Sequence, residues 1–189
     1  MGGHLILVVG PSGAGKDSLI DSARSHFAGN PNLVFPHRVI TRPAKVAAED
    51  HDTLSSEAFA EAEKRGAFFL HWQAHGLSYG LPIAIEDALR GGKVVVANVS
   101  RSVLAQALLV WPQTTAIFVT AAPETLAARV AARARPEDGD VQKRISRKAD
   151  LMPANMPCVT ILNDGTIAAA IATFCAALAR IRNEAINCQ

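Results

Sequence analysis

The sequence predicts an α/β domain of three layers, a parallel central sheet between helices, built around a phosphate-binding loop (P-loop). Three observations lead there. Residues Gly10-Pro11-Ser12-Gly13-Ala14-Gly15-Lys16 spell G-x-x-x-x-G-K. The preceding Leu5–Val9 is an unbroken apolar run, the pattern of a strand buried on both faces. Similar runs at Val94–Asn98, Ala116–Val119 and Val159–Leu162 alternate with helical stretches, as parallel βαβ units do.

The remaining elements follow in order. Ser18–Arg24 starts a helix after the loop. Asn32–Ile40, with Val34, Phe35, Val39 and Ile40, reads as a second strand. Ser55–Arg65 is helical, with Ser55 or Ser56 as its cap and Gly66 as its stop. Phe68–Gln73 is extended, and His75–Gly80 turns back into strand. Pro82–Leu89 reads as a helix closed by Gly91 and Gly92. Helices are expected at Val103–Leu109, at Glu124–Ala134 with Pro123 at its start, at Val141–Leu151 and at Ile167–Asn183. The whole chain, 1–189, is expected to be one domain. Residues 35–80 read as a polar and aromatic insert over the site, and 129–148 as a lid.

Composition bounds the function. At 189 residues, 49% apolar and 19% charged, the chain suits one folded domain with a full core. A net charge of +2 is too small for nucleic acid as a general partner. Cys158, Cys175 and Cys188 share no metal-ligand spacing and read as reduced thiols. The N-terminal apolar run lacks a basic flank and leads into the loop, so it is a core strand. No apolar stretch reaches membrane-spanning length. Cytoplasmic location is expected, with no membrane partner.

The loop implies a nucleoside triphosphate. Glycines let the backbone turn its N–H groups toward a phosphate, the following helix adds its positive end, and Lys16 adds a full charge near the β- and γ-phosphates. The ATP-binding set is therefore Gly10, Pro11, Ser12, Gly13, Ala14, Gly15, Lys16, Asp17 and Ser18. Asp17 stands where such loops carry Ser or Thr, the usual Mg²⁺ ligand, and Val94–Asn98 ends without the usual carboxylate. In one reading the acid has moved, so that Asp17 serves Mg²⁺ and Asn98 is a neutral ligand or water holder. In the other, Asp17 only complements the helix dipole.

Basic residues form two groups. Arg129 and Arg133 lie one turn apart, and Arg144 and Arg147 share a face of the next helix, with Lys143, Lys148 and Arg135 nearby. Across the polar break 135–140 they fit either a lid that closes on phosphates or a solvated helix pair. Arg38, Arg42 and Lys45 form the second group. Arg42 precedes Pro43 and is therefore extended, and the group suits a phosphate on a small substrate or plain surface charge. Tyr79, between Gly76 and Gly80, has a hydroxyl suited to the same phosphate, or a packed ring with a wet tip.

Several motifs together resemble a known branch. The loop, Thr41-Arg42-Pro43, Gly76-Leu77-Ser78-Tyr79-Gly80, the arginines and Leu162-Asn163-Asp164-Gly165 resemble guanylate kinases, which are P-loop kinases with a core, a substrate-binding insert and a lid. Guanylate kinases read guanine with a Ser four residues before the Thr-Arg arginine and a Glu in the strand before the Gly-x-Tyr-Tyr-Gly turn. Here those places hold Arg38 and Leu70 or His71, and the first tyrosine is Ser78. The closer resemblance is to the ribose 1,5-bisphosphate phosphokinases of bacterial phosphonate catabolism. It rests on Gly15-Lys16-Asp17-Ser18, Val39–Ala44, Glu49-Asp50-His51, Leu54-Ser55, Trp72, Ala74-His75-Gly76-Leu77, Asn98 with Ser100-Arg101, and 162–165.

The resemblance implies transfer of the ATP γ-phosphoryl to ribose 1,5-bisphosphate, with Mg²⁺ as cofactor. Lys16, Arg129, Arg133 and Arg144 would then be catalytic. Arg38, Arg42, Lys45 and Tyr79 would hold a substrate phosphate. Glu49, Asp50, His51 and His75 would contact ribose hydroxyls, with Asn98 and Arg101 completing the substrate set. Asn163 and Asp164 would lie near the adenine or the lid hinge.

Overall fold

The computed structural model describes residues 2–41, 51–74, 76–133 and 152–187. The apolar runs become a five-stranded parallel sheet in the order β2-β7-β1-β8-β9. Its strands are β1 (His4–Val9), β2 (Leu33–Val34), β7 (Val94–Asn98), β8 (Thr114–Thr120) and β9 (Cys158–Leu162). Central β1 pairs with β7, Val8 opposite Asn98, and with β8, Val9 opposite Phe118.

Alternation along β1 divides the core. Ile6 and Val8 face one side, where they pack with Leu19, Ile20 and Ala23 of α1 (Lys16–His26) and Phe174 and Leu178 of the last helix, α6 (Ile167–Asn187). Leu5, Leu7 and Val9 face the other. There they meet Leu89 of α3 (Ile85–Arg90), Leu104 of α4 (Leu104–Val110), and Leu70 and Leu81 of a second sheet. All five of these β1 residues are fully buried.

The second sheet runs β4-β3-β6-β5. It comprises β3 (Arg38–Ile40), β4 (His51–Thr53), β5 (Phe68–Ala74) and β6 (Leu77–Pro82). β5 and β6 form an antiparallel hairpin, β6 also pairs antiparallel with β3, and β3 and β4 run parallel. Between β4 and β5 lies α2 (Ser56–Lys64), where Ser55 takes the cap by accepting from Ala58 N at 3.1 Å. α5 (Pro123–Arg133) follows β8.

Two expectations change. The strand expected over 32–40 is two strands in different sheets. Pro36, which lacks a donor, interrupts it, so Leu33–Val34 joins β7 while Arg38–Ile40 crosses to β6. Pro82 does not open a helix. It is the last residue of β6, opposite Phe68, and the helix begins at Ile85. The Val141–Leu151 helix lies outside the described residues.

Candidate active site

The loop leaves the carboxyl end of central β1, where an α/β sheet holds its ligand. Its glycines are there for space and for backbone conformation. A Cβ on Gly10 would collide with the Val119 carbonyl of β8. Gly15 caps α1 at φ +85°, a left-handed conformation, and a Cβ there would stand 2.6 Å from Asn163 Nδ2. Lys16 folds back across the loop, and its Nζ donates to the carbonyls of Gly10 and Pro11, each at 2.9 Å.

Asp17, in the first turn of α1, joins elements from three places. Its Oδ1 accepts from Asn98 Nδ2 at 2.7 Å and lies 3.2 Å from Arg38 Nη2. Asn98 is buried at the end of β7, and Arg38 opens β3 of the second sheet. The structure thus brings together Asp17 and Asn98, which the sequence pairs for Mg²⁺, and Arg38, which it assigns to a substrate phosphate. Of the three, the Asp17 carboxylate alone is a ligand of the kind Mg²⁺ takes, since Arg38 is a cation and Asn98 turns its Nδ2 donor to Asp17. Among the described residues no cluster of three or more His, Cys, Asp or Glu could hold a metal, and Mg²⁺ characteristically takes one or two carboxylates with phosphate oxygens and waters.

On the second-sheet side of Lys16 lies a cavity of about 390 Å³. Its cations are Lys16, Arg38 and Arg101; its aromatic wall is Trp72 and Tyr79. These rings stack with centroids 5.5 Å apart and planes within 4°, since the residues pair directly across the β5–β6 hairpin. No carboxylate lines this cavity among the described residues. Of the positions where guanylate kinases read the base, Leu70 is fully buried in the core, and His71 lies 3.5 Å from Glu63.

Sequence reasoning missed Gln73, Ser100 and Ser102 as cavity residues. Ser100 caps the short 3₁₀ turn Arg101–Val103, and its Oγ accepts from Ser102 Oγ at 2.9 Å. Both serines follow the carboxyl end of β7, and that position was the available signal. Gln73 carried none; it is placed by pairing with Ser78.

A second recess lies on the other side of the loop, lined by Gly13, Gly15, Ser18, Arg129, Asn163 and Ile167. Among the described residues, Arg129 Nη1 and Asn163 Oδ1 are buried with no hydrogen-bond partner. Buried polar atoms are rarely left so, and both residues line the same recess. Asp164 is exposed and takes a structural bond, accepting from Ala122 N at 2.6 Å. Arg42, Lys45, Glu49, Asp50, His75 and Arg144 lie outside the described residues, as do the side chains of His51 and Arg133.

The chain is similar to curated ribose 1,5-bisphosphate phosphokinases. It is 48% identical, over 86% of its length and 81% of the relative's, to a protein of Rhodopseudomonas palustris named ribose 1,5-bisphosphate phosphokinase PhnN. It is also 48% identical, over 93% of its length, to the bifunctional ribose 1,5-bisphosphokinase-thymidine phosphorylase of Cupriavidus pinatubonensis, of which it spans 29%. Among solved structures, guanylate kinase from Anaplasma phagocytophilum superposes with a TM-score of 0.67 at 18% identity, over 97% of this chain and 88% of that one. That likeness establishes a guanylate-kinase-like fold. No family model matches the chain.

Proposed function

The chain belongs to the ribose 1,5-bisphosphate phosphokinase family, and on that premise we propose that it transfers the γ-phosphoryl group of ATP to the 1-phosphate of ribose 1,5-bisphosphate. The products are ADP and 5-phospho-α-D-ribose 1-diphosphate (PRPP), made in the cytoplasm during phosphonate breakdown.

The observation that carries the reading is the cavity beside Lys16, which has three cations, an aromatic wall and no described carboxylate. A sugar with a phosphate at each end needs cations and hydroxyl readers; a guanine pocket needs an acid.

In this reading ATP lies across the P-loop. Arg129, whose buried Nη1 lacks a described partner, donates to a phosphate oxygen. Arg38, Arg101 and Tyr79 hold the acceptor, and Arg42, Lys45, Glu49, His51 and His75 complete its site from the insert 35–80. Arg133 and Arg144, in the lid region 129–148, close over the phosphates and exclude water. Asp17, steadied by Asn98, would hold Mg²⁺, which neutralises phosphate charge when bound.

The chemistry asks little more of the protein. An oxygen of the acceptor 1-phosphate forms the new P–O bond to the γ-phosphorus, and the bond to the ADP oxygen breaks. The acceptor is already ionised near neutral pH, so no strong general base is needed. Catalysis is then mostly positioning and charge neutralisation.

The test is ADP release from Mg-ATP with ribose 1,5-bisphosphate, GMP, AMP or no acceptor. Turnover with the bisphosphate alone is expected. Turnover with a nucleotide instead would overturn the reading of the cavity, and hydrolysis without any acceptor would make the protein an ATPase.

A further inference from the structure

Resting on that reading, we infer that Arg38 is shared between Asp17 and the acceptor's phosphate, and that their competition for its guanidinium couples acceptor binding to the availability of the Asp17 carboxylate.

The two residues come from different sheets. Arg38 opens β3 of the four-stranded sheet, and Asp17 stands in the first turn of α1 against the parallel sheet. Their contact is a single-pronged one, Nη2 to Oδ1 at 3.2 Å. The same Oδ1 is held at 2.7 Å by Asn98 Nδ2, from the buried end of β7. Asp17 therefore keeps a partner on the core side if Arg38 turns away.

Arg38 is the member with a choice. It lines the acceptor cavity as well as meeting Asp17, and its side chain is only 18% exposed, so solvent is a poor third alternative. A guanidinium offers five donors in a planar fork, which fits a phosphate two bonds at a time. A dianionic phosphate that takes two of those bonds outcompetes one carboxylate oxygen. The carboxylate released is the one suited to the cation that travels with ATP. Linkage then requires reciprocity: whatever engages Asp17 also changes the affinity of Arg38 for the acceptor.

The coupling is read by binding alone, with chelator present, no nucleotide and salt near physiological strength, so that bulk charge effects are screened. Ribose 1,5-bisphosphate is titrated calorimetrically into the wild type, Asp17→Asn, Arg38→Met and the double variant. Asp17→Asn is expected to tighten binding by about fivefold or more, the usual floor for such couplings. Arg38→Met is expected to weaken it, and Asp17→Asn added to Arg38→Met is expected to change nothing further. Asp17→Ser carries the same expectation, so the result does not hang on one variant's folding. Equal tightening in both backgrounds would mean simple charge removal and would overturn the coupling, as would no tightening in either. Binding to none of the proteins would instead overturn the reading of the cavity, and the coupling with it.

Discussion

Asn163 reaches under the phosphate loop and donates from Nδ2 to the Ala14 carbonyl at 2.9 Å, a bond that spans 149 residues of sequence. Its own backbone N–H is tied to the Thr120 carbonyl at 2.7 Å, so β8, the loop and the turn after β9 are fixed to one another through a single residue. The absence of a side chain at Gly15 is what leaves Asn163 room.

Asn163→Ala should therefore cost about 1–3 kcal/mol, the penalty for leaving a buried carbonyl without its donor. Chemical denaturation would show this as a lower midpoint at unchanged slope, and the KM for ATP should rise with it. Gly15→Ala should do more harm to nucleotide binding, since the new methyl group meets Asn163 and the φ of +85° is strained for any other residue.

Lys16→Met should lower kcat/KM by about 10²–10³, the range for removing one group that stabilises developing charge. Its Nζ now bonds two loop carbonyls, yet it lies outside both hydrophobic cores. The variant should keep the wild-type circular dichroism spectrum while losing turnover. A large loss of helix signal instead would point to a structural role.

Trp72 and Tyr79 should separate by effect. Trp72 is 8% exposed and packed in the core as well as stacked on Tyr79, so Trp72→Ala should destabilise by about 3–5 kcal/mol. Tyr79→Phe keeps the stacked ring and removes only the hydroxyl. Thermal stability should fall far less than in Trp72→Ala, while the KM for the acceptor should rise about tenfold, the worth of one hydrogen bond to a charged group.

How much of this was legible is clearest at particular residues. The loop and β1, β7 and β8 were readable because strands buried on both faces leave unbroken apolar runs, and a glycine loop ending in Lys has a fixed spacing; β9, an edge strand with Cys158, Thr160 and Leu162 exposed, was readable from its apolar and β-branched residues alone. The split at Pro36 was missed because Val34, Phe35, Val39 and Ile40 look like one strand when only hydrophobicity is weighed. Asp17 and Asn98 were both suspect in the sequence. Their direct bond, 81 residues apart, depends on the parallel register that sets Asn98 beside Val8. Gln73 joins the cavity through hairpin pairing alone, which no local pattern announces.

At the opposite end of the sheet, His4 Nε2 meets Thr115 Oγ1 at 2.8 Å. Burial lowers the pKa of His4 below its ordinary 6.5, with Glu184 pulling weakly the other way. The folded protein thus binds fewer protons here than the unfolded chain as pH falls through 6.5, so this contribution to stability is present above that pH and is lost below it. The melting temperature should fall between pH 7 and 5, and His4→Gln should flatten that part of the profile relative to wild type. Parallel profiles would show that His4 does not contribute.

The most direct measurement is ³¹P NMR of the wild-type enzyme with Mg-ATP and ribose 1,5-bisphosphate. A phosphoryl transfer to the 1-phosphate predicts two new coupled diphosphate resonances growing in step with ADP, while the 5-phosphate signal stays a monoester. Growth of ADP with inorganic phosphate alone, or a bisphosphate spectrum left unchanged, would contradict it.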